Sequence, residues 1–207
     1  MVKKTWKDIT VADFQRIFEL EKRQPEDKLL NLIAIVNGIS LDDVMEMPLS
    51  KLERHFSDID FLQEEPRIPL IKGRYTLNGR EYKVNAKEFN TAQYIDFKSL
   101  VVGYAEHLAR FLTIFIMPAD ANAYGDGYDV EQVEQDISTM SIVDAKAVAS
   151  FFLTEYAILM RVFLRSSSRK IKRLRKRAES PEEQKLLKKL GRQMREARVQ
   201  LRTIGSY

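Results

Sequence analysis

The sequence predicts a mainly α protein: a multi-helix body with one small β-hairpin at about residues 74–84, and a basic helical hairpin at the C-terminal end. Three observations predict it. No glycine or proline falls between Ser141 and Glu179, and Phe152, Tyr156, Leu159 and Phe163 recur there at four, three and four residues, the spacing of one helix face. After Ser180-Pro181, the residues Leu187, Leu190, Met194, Ala197, Leu201 and Ile204 recur at three and four, a coiled-coil seam. One dipeptide, Asn78-Gly79, carries a clear strand-turn-strand signal.

Taken in order, the elements justify themselves locally. Thr10 with Asp13 three residues later is a capping box, and Val11, Phe14, Ile17 and Phe18 give the following helix an apolar face. Pro25 suits the start of a second helix, with Glu26 and Asp27 in its first turn. Leu29, Leu30, Leu32, Ile33, Ile35 and Val36 cover more than one face of it, so deep burial is expected, and Asn37-Gly38 ends it. Ser40 opens a short helix over Leu41 to Met45, and Pro48 opens another expected to run to about Leu62. Arg74-Tyr-Thr-Leu and Arg80-Glu-Tyr-Lys-Val flank the turn, in a register that sets Tyr75 opposite Tyr82. A lone hairpin is marginal in water, so this one is expected to lie on the helical body. Thr91 is read as the cap of a helix from Ala92 to about Met117, striped by Tyr94, Phe97, Val101, Tyr104, Leu108, Phe111, Leu112 and Phe115. A loop rich in glycine and acid follows Pro118, and Asp129 caps a short helix through Ile137. Ser141 and Asp144 then cap the long helix.

The last helix begins at Ser180-Pro181-Glu182-Glu183, a capping box with proline at the first helical position. Reversal at Ser180 would bring Leu187 to Leu174, Leu190 to Ile171, Ala197 to Phe163 and Leu201 to Leu159, with Met194 at Ser167. An intermolecular coiled coil through the same seam is the alternative.

Charge divides the chain as periodicity does. Of 207 residues, 44% are hydrophobic and 31% charged, with a formal net charge of +4. From Arg165 to Tyr207 fifteen Lys/Arg meet four Glu, a net of +11, so the preceding 164 residues carry −7. Residues 1–164 are thus read as an acidic helical body containing the β-hairpin. Residues 165–207 are read as a basic helical arm continuous with the last body helix. Such polarity suits nucleic acid, an acidic protein partner or a neighbouring copy. Arg165, Arg169, Lys170, Lys172, Arg173, Arg175, Lys176, Arg177, Lys188, Lys189, Arg192 and Arg195 are the candidate contacts to phosphate or partner. Only Tyr207 is aromatic in this arm, so base stacking is not offered.

Chemistry-bearing motifs are sparse. The absence of cysteine excludes disulfides, thiolate nucleophiles and cysteine-based zinc sites. No apolar stretch follows the basic start and no clean run of roughly 20 apolar residues occurs, so a soluble, intracellular protein with no membrane contact is expected. Asp120, Asn122, Gly125, Asp126 and Glu131 match positions 1, 3, 6, 7 and 12 of a calcium loop. Tyr124 at position 5, Gly127 at position 8 and the helix-breaking Pro118 depart from that pattern, and a plain loop is the simpler reading. His55 and His107 have no metal-ligand spacing, and no phosphate loop or nucleophile motif occurs. No cofactor and no enzymatic activity are expected.

Several short stretches resemble tail assembly chaperones of tailed bacteriophages. They are Trp6-Lys-Asp-Ile-Thr10, Asp27-Lys-Leu-Leu, Leu49-Ser-Lys-Leu before Phe61-Leu, the Asn78-Gly79 hairpin, Thr91-Ala-Gln-Tyr-Ile-Asp, and Pro118 followed by Tyr124-Gly-Asp-Gly-Tyr-Asp129. The resemblance spans roughly residues 1–153 and leaves the basic arm outside. It implies a non-enzymatic protein that binds other phage structural proteins during morphogenesis, in the host cytoplasm or as part of the virion. A head-tail connector subunit, a packaged virion protein and a homo-oligomer stay open at this point, as does nonspecific nucleic-acid binding.

Overall fold

A computed structural model describes residues 4–85, 90–177 and 180–204, except for the side chains of residues 159–160, 162–163, 175–177, 194, 197–198 and 200–204. The fold is mainly helical with a small antiparallel sheet. The chain divides into two compact units, Met1–Ala149 and Ser150–Tyr207. The division falls inside one long helix, whereas the charge reading drew its line after Leu164.

The first unit begins with a single 3-10 turn and α1 (Val11–Arg23), whose capping box is Thr10 with Asp13, as the spacing predicts. Then come α2 (Lys28–Asn37), α3 (Leu41–Met45) and α4 (Leu49–Phe56). α2 begins three residues beyond Pro25, because Gln24 takes a left-handed conformation (φ 46°) and Pro25 supplies only its carbonyl to a tight turn. Gly38 (φ 65°) ends α2, and Ile33, Ala34, Ile35 and Val36 are all buried, so its apolar all-round pattern does mean depth. α4 stops at Phe56 rather than near Leu62. His55 Nδ1 meets Asp58 Oδ2 at 3.0 Å there, and a 3-10 turn over Asp60–Gln63 replaces the last helical turn. Ile33, Ala34 and Val44 form a local core covered by Leu30, Ile39, Leu52, Phe56 and Ile59.

The hairpin forms in the predicted register: β1 (Arg74–Leu77) pairs with β2 (Arg80–Val84), Tyr75 opposite Tyr82. Asn78 (φ 49°) and Gly79 (φ 76°) are both left-handed, as a two-residue turn of this hand requires. It is not alone. The expected helix from Ala92 to Met117 is two helices and a strand: α5 (Thr91–Leu100), α6 (Leu108–Leu112) and β3 (Ile116–Pro118), and β3 pairs antiparallel with β2. Asn90 caps α5, one residue before Thr91, in a capping box with Gln93. Gly103 (φ 78°) turns the chain out of the helix, while the tight turns on either side of it keep the apolar stripe in near-helical phase. That phase is why periodicity alone read through the break. Pro118 is tolerated because β3 is an edge strand. Phe97, Phe111 and Phe115, all fully buried, pack ring on ring with centroids 5.1–6.0 Å apart.

α7 (Val130–Ser138) is capped by Asp129. α8 (Ile142–Arg177) starts against the N-terminal segment: Val11 N–H donates to Met140 O (2.9 Å), Ile142 N–H to Ile9 O (2.8 Å), and Ser141 Oγ to Lys7 O (3.0 Å).

The second unit holds the rest of α8 and α9 (Pro181–Ile204), with Ser180 Oγ accepting from Glu183 N–H at 3.1 Å. Leu164, Ser167, Ser168 and Ile171 on α8, and Leu187 and Gly191 on α9, are shielded from solvent at three- and four-residue spacings. The expected partners Leu159, Phe163, Met194, Ala197 and Leu201 lie outside the described side chains. Leu174 and Leu190 are 43% and 39% exposed, so part of the predicted seam faces outward.

Candidate functional site

Two places could do chemistry or binding, one in each unit. In the first, the β2 backbone aims Tyr82 and Lys83 to opposite sides of the strand; Tyr82 lines a cleft, and Lys83 holds the loop that bounds it. Tyr82 Oη donates to Asp136 Oδ2 (2.5 Å), and Asn78 Nδ2 and Gln132 Nε2 donate to Asp136 Oδ1 (2.9 and 3.2 Å). Arg80 Nη1 stands 3.5 Å from Oδ2. Burial pushes the Asp136 carboxyl up, but these donors and the Arg80 charge outweigh it and hold it below its ordinary value. The same contact works in reverse on the phenol: burial, then Asp136, push Tyr82 up to about 12.

On the other side Lys83 Nζ donates to the carbonyls of Ala119 (2.8 Å) and Ala121 (2.6 Å). Its ammonium is the cation of the 118–129 loop. The remaining loop geometry follows: Gly125 and Gly127 are left-handed, and Tyr124 Oη donates to Asp96 Oδ2 at 2.8 Å. Burial, then Asp96, push Tyr124 up to about 12. The result is a cleft of about 810 Å³ with Glu81, Asp120, Asp126 and Asp129 in its lining and Arg80 as the lining cation. Tyr128 is also in the wall, its hydroxyl oxygen buried and without a partner among the described residues.

Of the calcium-loop residues, Asp120, Asn122 and Asp126 line this cleft and Glu131 does not. The Glu131 N–H donates to the capping Asp129 Oδ1 at 2.9 Å. Among the described residues no three His, Asp or Glu side chains are grouped to hold a metal ion. Spacing matched five positions of a calcium loop here, with a plain loop as the simpler reading. The segment entering the loop is strand β3 rather than a helix.

The second unit carries the basic residues. Arg165, Arg169, Lys170, Lys172 and Arg173 on α8, and Lys188, Lys189, Arg192 and Arg195 on α9, are all exposed. Arg175, Lys176 and Arg177 complete α8, their side chains outside the described ones. Among the described residues of this unit the one ion pair joins Arg192 to Glu196 at 2.9 Å. Exposed apolar side chains stand between the cations: Ile158, Leu174, Leu186, Leu190 and Val199 are 47, 43, 59, 39 and 64% exposed. No helix among the described residues is long and apolar enough to cross a membrane.

Compared with known protein families, curated proteins and solved structures, the chain matches none.

Sequence reasoning missed the Asp136 network, although a signal existed. Val133, Asp136, Ile137 and Met140 share one helical face at three- and four-residue spacing, and an acid inside an apolar stripe must find donors.

Proposed function

We propose that the chain is a non-enzymatic bacteriophage assembly or structural protein, of the tail assembly chaperone kind, that works by binding other phage structural proteins in the host cytoplasm. The observation that carries a binding role is the surface of Ser150–Tyr207, where, among the described residues, exposed leucine, isoleucine and valine side chains are interspersed with exposed lysine and arginine side chains. Phosphate tracking uses the cations and gains nothing from the leucines. The described residues 165–204 contain no aromatic side chain for stacking on bases or for anchoring at a bilayer interface. A protein partner that presents an acidic amphipathic surface uses both kinds of side chain at once. The short stretches that resemble tail assembly chaperones supply the biological setting of this reading.

Co-purification from a phage-infected lysate tests this. Phage structural proteins should be recovered with the intact chain and lost with a Leu186→Asp/Leu190→Asp variant whose helicity is retained. Recovery of host metabolic proteins alone would sink the reading. Tight binding to duplex DNA that falls steeply with salt, with no protein retained, would replace it with a nucleic-acid role.

A further inference from the structure

The two units of this chain are electrostatic complements. Divided where the fold divides, Ser150–Tyr207 holds sixteen Lys/Arg and five Glu, a net of +11, and Met1–Ala149 holds a net of −7. The negative unit has a recess with room for more than one side chain: the cleft between β2, the 118–129 loop and the start of α7. The carboxylates of Asp120 and Asp126 line it with no ion pair among the described residues. Its own cation, Arg80, is turned toward Asp136. The walls are set in advance, since Lys83 pins the loop carbonyls and Asp136 pins the turn and α7.

We propose that the protein self-associates head to tail, the basic helices of Ser150–Tyr207 of one copy seating lysine and arginine side chains in the acidic cleft of another. This rests on the reading of the helical unit as a protein-binding surface and names one partner for it. A second copy is the occupant because it satisfies both surfaces at once. A nucleic acid would cover the helices and leave the cleft carboxylates unanswered, and each copy already carries one donor and one acceptor surface. Such an interface is heterologous, so it adds copies in sequence until a ring closes or a filament grows. Attraction of this kind is screened by salt and acts over about 10 Å at 0.1 M.

The test is the mass of the full chain by sedimentation velocity. Species larger than the monomer are expected at about 20 mM salt, with a shift toward monomer at about 0.5 M. Two full-chain variants make the arrangement specific. Asp120→Lys/Asp126→Lys disables the cleft without touching the Asp129 cap or the Asp136 network. Lys188→Glu/Lys189→Glu/Arg195→Glu disables the helices without touching the Arg192–Glu196 pair. Each variant alone should stay monomeric at low salt, with circular dichroism unchanged. Mixed in equal amounts they should give a one-to-one dimer and nothing larger, because one functional cleft and one functional basic unit remain. A wild-type chain that is monomeric at low salt overturns the proposal. So does a cleft variant that still associates alone, or a mixture that stays monomeric. If the helicity of the Lys variant changes, Asp120→Asn/Asp126→Asn takes its place under the same criteria. Loss of self-association with phage proteins still captured from lysate would overturn this inference and leave the wider binding role standing.

Discussion

Asp136 is nearly out of reach of water, yet it holds Tyr82, Asn78, Gln132 and Arg80 in one network. The Asp136→Ala variant leaves the Tyr82 hydroxyl and the Asn78 amide without an acceptor. A loss of about 3 kcal/mol in urea unfolding is expected, since a buried donor left unsatisfied costs about 1–3 kcal/mol. Asp136→Asn keeps an acceptor oxygen and should lose less. The sign of the pH dependence follows from the lowered carboxyl. A carboxyl whose folded pKa lies below its unfolded one adds stability fully above about pH 4, and that contribution fades as pH falls through the lowered folded value. The difference in stability between wild type and Asp136→Asn should therefore shrink as acid is added. A difference that stays constant from pH 6 to 2 would remove the charge from the account. Lys83 makes a second expectation at this scale. The Lys83→Met variant keeps the packing stem but frees the Ala119 and Ala121 carbonyls, so amides of the 119–129 loop should exchange faster while those of β1 and β2 do not.

At the scale of elements, turn chemistry was the most legible part of the chain. Asn78-Gly79, Thr10 with Asp13, Ser40, and Asp129 each use side chains or dihedrals that have one local solution, and each sits where the sequence placed it. The Gly79→Ala variant forces a Cβ into a left-handed turn position (φ 76°) with open space around it. Steric contact with neighbours is therefore not the cost; backbone strain is. A loss of about 1–2 kcal/mol is expected. An unchanged thermal midpoint would mean that the turn relaxes to another type. The elements misread were those decided by distant partners. β3 is a strand because Ile116 and Met117 sit beside β2, and nothing local distinguishes that run from the end of a helix. The candidate site divided the same way. Asp120, Asn122 and Asp126 were found by spacing and do line a cleft, but the cation that organises their loop comes from β2, far away in sequence. The basic helices were legible from composition alone, because a run of cations stays exposed in almost any fold.

The molecule as a whole is unevenly anchored. Among the described residues the largest fully buried side chains belong to Met1–Ala149, among them Tyr82, Phe97, Phe111, Phe115, Ile114 and Ile137. In Ser150–Tyr207 the buried side chains among those described are Phe152, Leu153, Ala157 and Leu164, and the described side chains beyond Leu164 are partly covered or exposed. Burial of apolar area, at roughly 25 cal/mol per Å², sets how much free energy a local opening must supply. The clustering of like charge on the second unit subtracts further from its stability through self-repulsion. α8 crosses from one regime to the other without a break in its backbone bonds, so it reports both. Native-state hydrogen exchange read by mass spectrometry should show amides near Ile142 to Ala149 protected almost to the level of global unfolding. Protection should decline along α8 toward Arg177, and α9 should exchange faster than α1 or α7. The measurement belongs at about 0.5 M salt, where association between copies is screened and cannot shield the helices. Uniform protection from Ile142 to Ile204 would show that the second unit is held by packing that its exposed leucines do not suggest.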